Sequence, residues 1–269
     1  MTLNSKVRLN NGVDIPHLGL GVYQSPAGET TLRGVKYALN IGYRHIDTAM
    51  LYGNETDVGR AVMESGIQRE EIFVTTKVWN SDQGYDSTLR AFEGSLRRLG
   101  LSYADLYLIH WPVQGKVVET WKAMIKILKD GKSRAIGVSN YSIDELQETI
   151  QSSDIVPAVN QVEFHPFLYQ EGILDFCKNN KIQVEAYSPL TRGRRLNHPS
   201  LKKVAKKYDK TPAQVLIRWS LQHGLVVIPK STQKDRILEN SQVFDFEIEK
   251  EDMKMLNSLN ENLRTVFLD

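Results

Sequence analysis

The chain has a single cysteine, Cys177, so it cannot close an internal disulfide. That thiol sits beside Phe176 in an apolar helical pattern, which points to a buried structural cysteine and a reducing, cytoplasmic setting. Long hydrophobic runs are also missing. No stretch reaches the roughly 18 apolar residues of a membrane span, and Met1 to Leu9 lacks the apolar core of a secretion signal, so neither membrane insertion nor export is expected. An excess of one charge is missing too: the net charge is +2, with 25% charged residues mixed along the chain, and nothing favours nucleic acid or a membrane surface as partner. The histidines His17, His45, His110, His165, His198 and His223 have no paired ligand spacing, so no metal is expected. Without a linker or low-complexity segment, the 269 residues read as one domain over 1–269.

What is present is an alternation. Asn11-Gly12, between Val7–Leu9 and Val13–Ile15, is a strong hairpin signal because both turn residues tolerate positive φ. From there, short β-branched runs alternate with segments whose apolar residues recur at helical spacing. Strands are expected at Leu18–Val22, Tyr43–Asp47, Ile72–Val78, Leu106–Ile109, Ala135–Val138, Pro157–Phe164, Ile182–Tyr187 and Leu225–Ile228. Each leads into a helix, with Ser142 and Glu145 forming a capping box for the fifth and Thr211-Pro212 opening an additional helix. Eight such units predict an α/β fold, a (β/α)8 TIM barrel with a short N-terminal β-hairpin and extra helices late in the chain. The rival, a doubly wound sheet, needs a Gly-x-Gly-x-x-Gly turn after its first strand. Gly19-Leu20-Gly21 begins that motif, but Gln24 occupies the third glycine position.

In a barrel the C-terminal ends of the strands share one face. Asp47 ends the second strand, Tyr52 lies in the loop after it, Lys77 ends the third and His110 the fourth, so four titratable groups converge. Proton donation to a carbonyl oxygen fits them. A free tyrosine, with a pKa of about 10, is a reluctant donor, and the Lys77 ammonium is expected to stabilise its phenolate and lower that value. Asp47 would pair with Lys77 and keep it protonated, and His110 would orient the substrate oxygen.

These residues carry a resemblance. Gly42-Tyr43-Arg44-His45-Ile46-Asp47-Thr48-Ala49, with Tyr52, Glu55 and Gly59 following, is similar to the signature of the aldo-keto reductases. Lys77 within Thr75–Trp79, His110-Trp111-Pro112, Gly137–Asn140 and Ile228–Ser231 resemble the family's other landmarks, in order along nearly the whole chain. The resemblance implies NADPH-dependent carbonyl reduction, with Asp47, Tyr52, Lys77 and His110 as the catalytic tetrad. It further implies that Ser139, Asn140 and Gln161 bind the nicotinamide amide and that Tyr187 stacks on its ring, with Gly21, Val22, Ser188 and Leu190 as further cofactor contacts. Lys230-Ser231-Thr232 precede a helix start, where free amides and the charges of Lys230 and Arg236 attract phosphate. By the resemblance, Arg236 takes the ribose 2′-phosphate of NADPH and Glu239 and Asn240 contact adenine.

Tyr23, Trp79 and Trp111 are expected to form an aromatic wall around the carbonyl. The short loop from Trp111 to Val117 and the short tail after Leu259 suggest an open, permissive pocket. Small aldehydes, α-oxoaldehydes such as methylglyoxal and diketo sugar acids all fit as the small-molecule partner. A monomer is expected, since one chain supplies the whole site. Two other functions stay open: an aldolase forming a Schiff base at Lys77, and a nucleotide-binding sensor without turnover.

Overall fold

In the computed structural model, which describes residues 1–267, the Asn11-Gly12 turn joins β1 (Lys6–Arg8) and β2 (Asp14–Pro16) as an antiparallel hairpin. Gly12 has φ 85° there, the left-handed region that glycine enters without strain. Leu9 and Ile15 pack against Phe73, Leu106, Ala135, Val159 and Val226 of the parallel strands. Asn10 and Asn11 donate to the carbonyls of Pro157 and Arg134. The hairpin is therefore a floor over the strands' N-terminal ends, which leaves the opposite end free for loops.

The parallel strands are β3 (Leu20–Gly21), β4 (His45–Asp47), β5 (Phe73–Val78), β6 (Ala104–Ile109), β7 (Ser133–Ser139), β8 (Val159–Glu163), β9 (Gln183–Tyr187) and β10 (Val226–Val227). They hydrogen-bond in chain order from β3 to β10. Bridges Leu18↔Val227 and Gly21↔Lys230 join the first strand to the last and close the ring. The expected first and last strands are thus right in place but shorter as regular ladder. A Cβ on Gly19 would lie 2.6 Å from the His45 ring, and one on Gly21 would lie 3.0 Å from the Ile228 carbonyl. The glycine pair that begins like a dinucleotide fingerprint is therefore explained by packing at the closing seam.

Around the strands run α1 (Glu29–Asn40), α2 (Glu55–Met63), α3 (Tyr85–Leu99), α4 (Val117–Lys129), α5 (Ile143–Gln151), α6 (Glu171–Asn179), α7 (Pro199–Lys207), α8 (Pro212–Gln222), α9 (Lys234–Ser241) and α10 (Lys250–Asn257). Their apolar stripes, such as Leu32, Val35 and Leu39 on α1, are buried against the strands because a one-sided helix must cover that face. Both capping signals form: Ser142 with Glu145 and Thr211 with Gln214 make reciprocal boxes. Among the described residues no helix is long and apolar enough to cross a membrane. Cys177 is buried, and burial pushes its thiol up to about 12, far from a reactive thiolate.

Where α2 meets α3 the approach is closest. A Cβ on Gly59 would stand 1.8 Å from the carbonyl oxygen of Leu99, and that backbone cannot rotate away as a side chain could. Gly59→Ala is expected to destabilise the fold by about 3 kcal/mol. Gly66→Ala, with nothing within 4 Å of its Cβ but φ 71°, should lose only about 1 kcal/mol. Urea unfolding midpoints of the two variants check the contrast.

Candidate active site

At the centre of the open end, Lys77 Nζ donates to Asp47 Oδ1 (2.8 Å) and Oδ2 (2.7 Å), to the Thr48 carbonyl (2.9 Å) and to the Tyr52 hydroxyl (3.4 Å). Lys77 has no exposed surface and Asp47 has 2%, so each charge must be satisfied by the other and by nearby dipoles. Gln161 completes the set by donating to Asp47 Oδ2 at 2.9 Å. A turn at Met50–Tyr52 brings the phenol back over the strand ends, where its ring stands edge-on to His110 at 5.5 Å between centroids. Asp47, Tyr52, Lys77 and His110 come together.

The charges differ from expectation in one respect. The Lys77 ammonium does not outweigh the other influences on Tyr52: burial first, then the negative charge of Asp47, hold its pKa well above the ordinary tyrosine value. The bidentate carboxylate offsets much of the ammonium's charge, so its remaining support for a phenolate is the hydrogen bond from Lys77 Nζ. His110 lies well below the ordinary histidine value, because it is buried and faces Lys77, and its imidazole is therefore neutral.

Asp47, Tyr52 and His110 line a cavity of about 820 Å³, a volume in the range that holds organic ligands. Asp47, Tyr52, His110, Tyr23, Trp79 and Trp111 form its wall, as do Gly21, Ser139, Asn140, Gln161, Tyr187, Ser188, Leu190, Lys230, Ser231, Thr232, Arg236, Glu239 and Asn240. Two expected residues are not part of that wall. Val22 is buried, its amide held by the Asp47 carbonyl, and Lys77 lies behind Asp47 and Tyr52. Glu239 lines the cavity, but its Oε1 accepts from Thr211 Oγ1 at 2.6 Å, which ties it to the start of α8.

Around the mouth the backbone is strained in a clustered way. Gln24, Asn140, Ser188 and Arg192 all have positive φ between 48° and 64° and all line the cavity, as expected where surrounding contacts enforce a functional geometry. Asn140 is fixed by donating to the His110 carbonyl and the Ser139 hydroxyl and by accepting from Tyr187.

Several residues that line the cavity escape sequence reasoning. Arg192 donates to the Thr265 carbonyl and to Gln24 Oε1, bridging the mouth; the basic run Arg192-Gly193-Arg194-Arg195 after the seventh strand was its only signal. The tail reaches the site instead of leaving it open. Buried Glu163 accepts from the Thr265 amide and hydroxyl and the Val266 amide, which sets Val266 and Phe267 into the cavity wall. No periodicity announces that docking.

The far end of the cavity suits an anion. Lys230 and Arg236 take part in no ion pair among the described residues, and the Lys230 pKa is lowered by burial and then by the charge of Arg192. Neighbouring cations that repel one another in a concave site are stabilised by a bound phosphate.

The chain matches the Aldo/keto reductase family model over residues 17–261. It is 52% identical to the glyoxal reductase of Bacillus subtilis, covering 98% of this chain and 95% of that protein. Among solved structures it is similar to MGS-M4, an aldo-keto reductase from a Medee basin deep-sea metagenome library. The TM-score is 0.94, with 47% identity and 98% of each chain covered. A variant of Gox0644 solved in complex with NADPH aligns with a TM-score of 0.91 and 43% identity, over 95% of this chain and 93% of that one.

Two buried neutral histidines make stability fall in acid. His45 is held at about 3 by burial and by the charge of Lys77, and His110 is also lowered. As pH drops below the unfolded value of about 6.5, the unfolded chain takes up protons that the folded chain refuses, so stability is lost progressively down to the folded values. At about pH 5 His45 should remove about 2 kcal/mol relative to neutral pH, and His110 acts in the same direction. Urea midpoints of wild type and His45→Gln check this: the variant should gain stability relative to wild type as the pH falls from about 7 to about 5.

Proposed function

Because the chain belongs to the aldo/keto reductase family, we propose that it reduces aldehyde and ketone carbonyls to alcohols with NADPH, Tyr52 supplying the proton. The observation that carries this reading is the Lys77 ammonium, which joins Asp47 and the Tyr52 hydroxyl at the cavity wall. The substrate oxygen sits between Tyr52 and the neutral imidazole of His110, within reach of a donor from each. NADPH, when bound, supplies hydride to the carbonyl carbon. Tyr52 then protonates the oxygen. Its raised pKa does not oppose this, since an alkoxide is a far stronger base than a phenolate. The phenol therefore stays loaded at every physiological pH and releases its proton as negative charge develops on the substrate oxygen. Lys77, hydrogen-bonded to the phenol, stabilises the phenolate left behind.

Ser139, Asn140 and Gln161 suit the nicotinamide amide, and Tyr187 its ring face. Arg236 with Lys230, Ser231 and Thr232 suits the 2′-phosphate. Glu239, already held by Thr211, contributes to the adenine side as a fixed wall with Asn240. Tyr23, Trp79 and Trp111 favour small apolar-edged carbonyls, including α-oxoaldehydes such as methylglyoxal. The whole site comes from one chain, which suits a monomer, and a single, buried cysteine, Cys177, suits the cytoplasm. The aldolase reading is disfavoured because the Lys77 ammonium is engaged by three acceptor groups and lies behind the cavity wall, with no lone pair presented to a carbonyl.

With methylglyoxal, wild type should oxidise NADPH, and Tyr52→Phe should lose turnover by about a hundredfold or more while NADPH still binds in fluorescence titration. Normal turnover in the variant would remove Tyr52 as the acid. Arg236→Ala should weaken NADPH by about tenfold or more, the size of a lost charge-assisted contact, and leave NADH nearly unchanged. Equal losses for both nucleotides would remove Arg236 from the 2′-phosphate.

A further inference from the structure

A second carboxyl group lies inside the barrel near the Asp47–Lys77 pair, and the reaction described above does not use it. Glu185 is the middle residue of β9, fully buried. It pairs in register with Gln161 on β8 and Val226 on β10. Two residues further along the strand, Tyr187 lines the cavity. Side chains two apart share a face of a strand, so Glu185 occupies the layer directly below the cofactor and substrate groups.

Its surroundings do not suit a carboxylate. Neither oxygen meets full hydrogen-bond geometry with a donor, and the nearby Gln161 amide is the weakest of the influences on the carboxyl. The Gln161 amide beside it donates to Asp47 Oδ2 instead. From β4 it faces His45, whose Nε2 lies 3.6 Å from Oε1, and the charge of Asp47. From β5 it faces the charge of Lys77. From β8 comes only the neutral amide of Gln161, and from β10 the apolar Val226. Lys77 already has its counter-charge in Asp47, and His45, held at about 3, brings none. A carboxylate in such an interior, where burial and the charge of Asp47 outweigh Lys77 and Gln161, takes a proton rather than stay charged.

We propose that Glu185 is a positioning residue kept as a neutral carboxylic acid while the enzyme reduces carbonyls, and that its ionisation in alkaline solution lowers the proton-donating power of Tyr52. With Glu185 protonated, the Asp47–Lys77 pair below the phenol is electrically balanced. With Glu185 ionised, the cluster carries one net negative charge, which opposes formation of the phenolate that proton donation leaves behind. Consistent with this direction, burial and then the charge of Asp47 push Glu185 up to about 8, and the charge of Glu185 is among those that raise Tyr52.

The kinetic consequence rests on the carbonyl-reductase reading, so the test has two readouts. The first is the single-turnover rate of NADPH oxidation by methylglyoxal from about pH 7 to about pH 9. The second is the infrared C=O band of a buried carboxylic acid, followed without substrate. Wild type should slow severalfold across the range and lose the acid band over the same interval, whereas Glu185→Gln should lack the band and show no such bend. Glu185→Leu, also uncharged, should behave like the amide and replaces it should the amide fail to fold. An identical bend in wild type and both variants would overturn the proposal, as would the absence of the band from wild type at neutral pH. If wild type oxidises no NADPH at any pH, the reductase reading fails, while the band still decides whether Glu185 holds a proton.

Discussion

A lysine ammonium with no solvent exposure lies at the strand ends of this barrel. Lys77 must be matched inside the protein, and the match is nearly complete: two oxygens of Asp47, one backbone carbonyl and one phenol. Buried pairs of this kind seldom add stability over apolar residues of equal size, yet breaking one costs about 3–5 kcal/mol, because the survivor is left charged and unpaired. The arrangement makes physical sense when the charge does something that leucine or methionine could not. Here it touches the Tyr52 phenol in the cavity wall.

The fold serves that pair. The hairpin closes the strands' N-terminal ends, so the open end is where loops can diverge. Register then places Asp47 beside Gly21 and Thr75 and Lys77 beside Leu108, and each ionic side chain projects inward from a rigid strand. Above that layer the chain is held in strained conformations at Gln24, Asn140, Ser188 and Arg192. Two latches, Glu163 to Thr265 and Arg192 to both Thr265 and Gln24, tie the tail to β8 and to the cavity wall. Rigid strands carry the reacting groups, and the latched loops shape what reaches them.

Much of this was legible in the sequence, for a definite reason. Strands, helices and caps are local patterns, and in a closed parallel barrel a residue at a strand's C-terminal end is automatically near the others. Asp47, Lys77 and His110 could therefore be placed together from strand counting alone. What could not be read depends on tertiary surroundings. The docking of Thr265, Val266 and Phe267 follows from a buried carboxylate on β8, about a hundred residues earlier. Arg192 acts by spanning two loops that are distant in sequence. The sign of the Tyr52 shift was misjudged because a sequence shows which charges are near but not how far burial outweighs them. Glu185 is easily passed over, since strand counting points to the residues at a strand's C-terminal end and says nothing of which charges and donors surround an acid one layer deeper.

The central claim is that the buried pair exists for the chemistry of Tyr52 and not for the stability of the fold. The direct measurement is to neutralise both charges together, with Asp47→Asn and Lys77→Met in one chain, and to compare its unfolding midpoint and its single-turnover rate of NADPH oxidation with those of wild type. The expected result is a midpoint close to wild type, since no lone charge is left buried, with the rate reduced about a hundredfold or more. A double variant that reacts within a few-fold of wild type would contradict the claim.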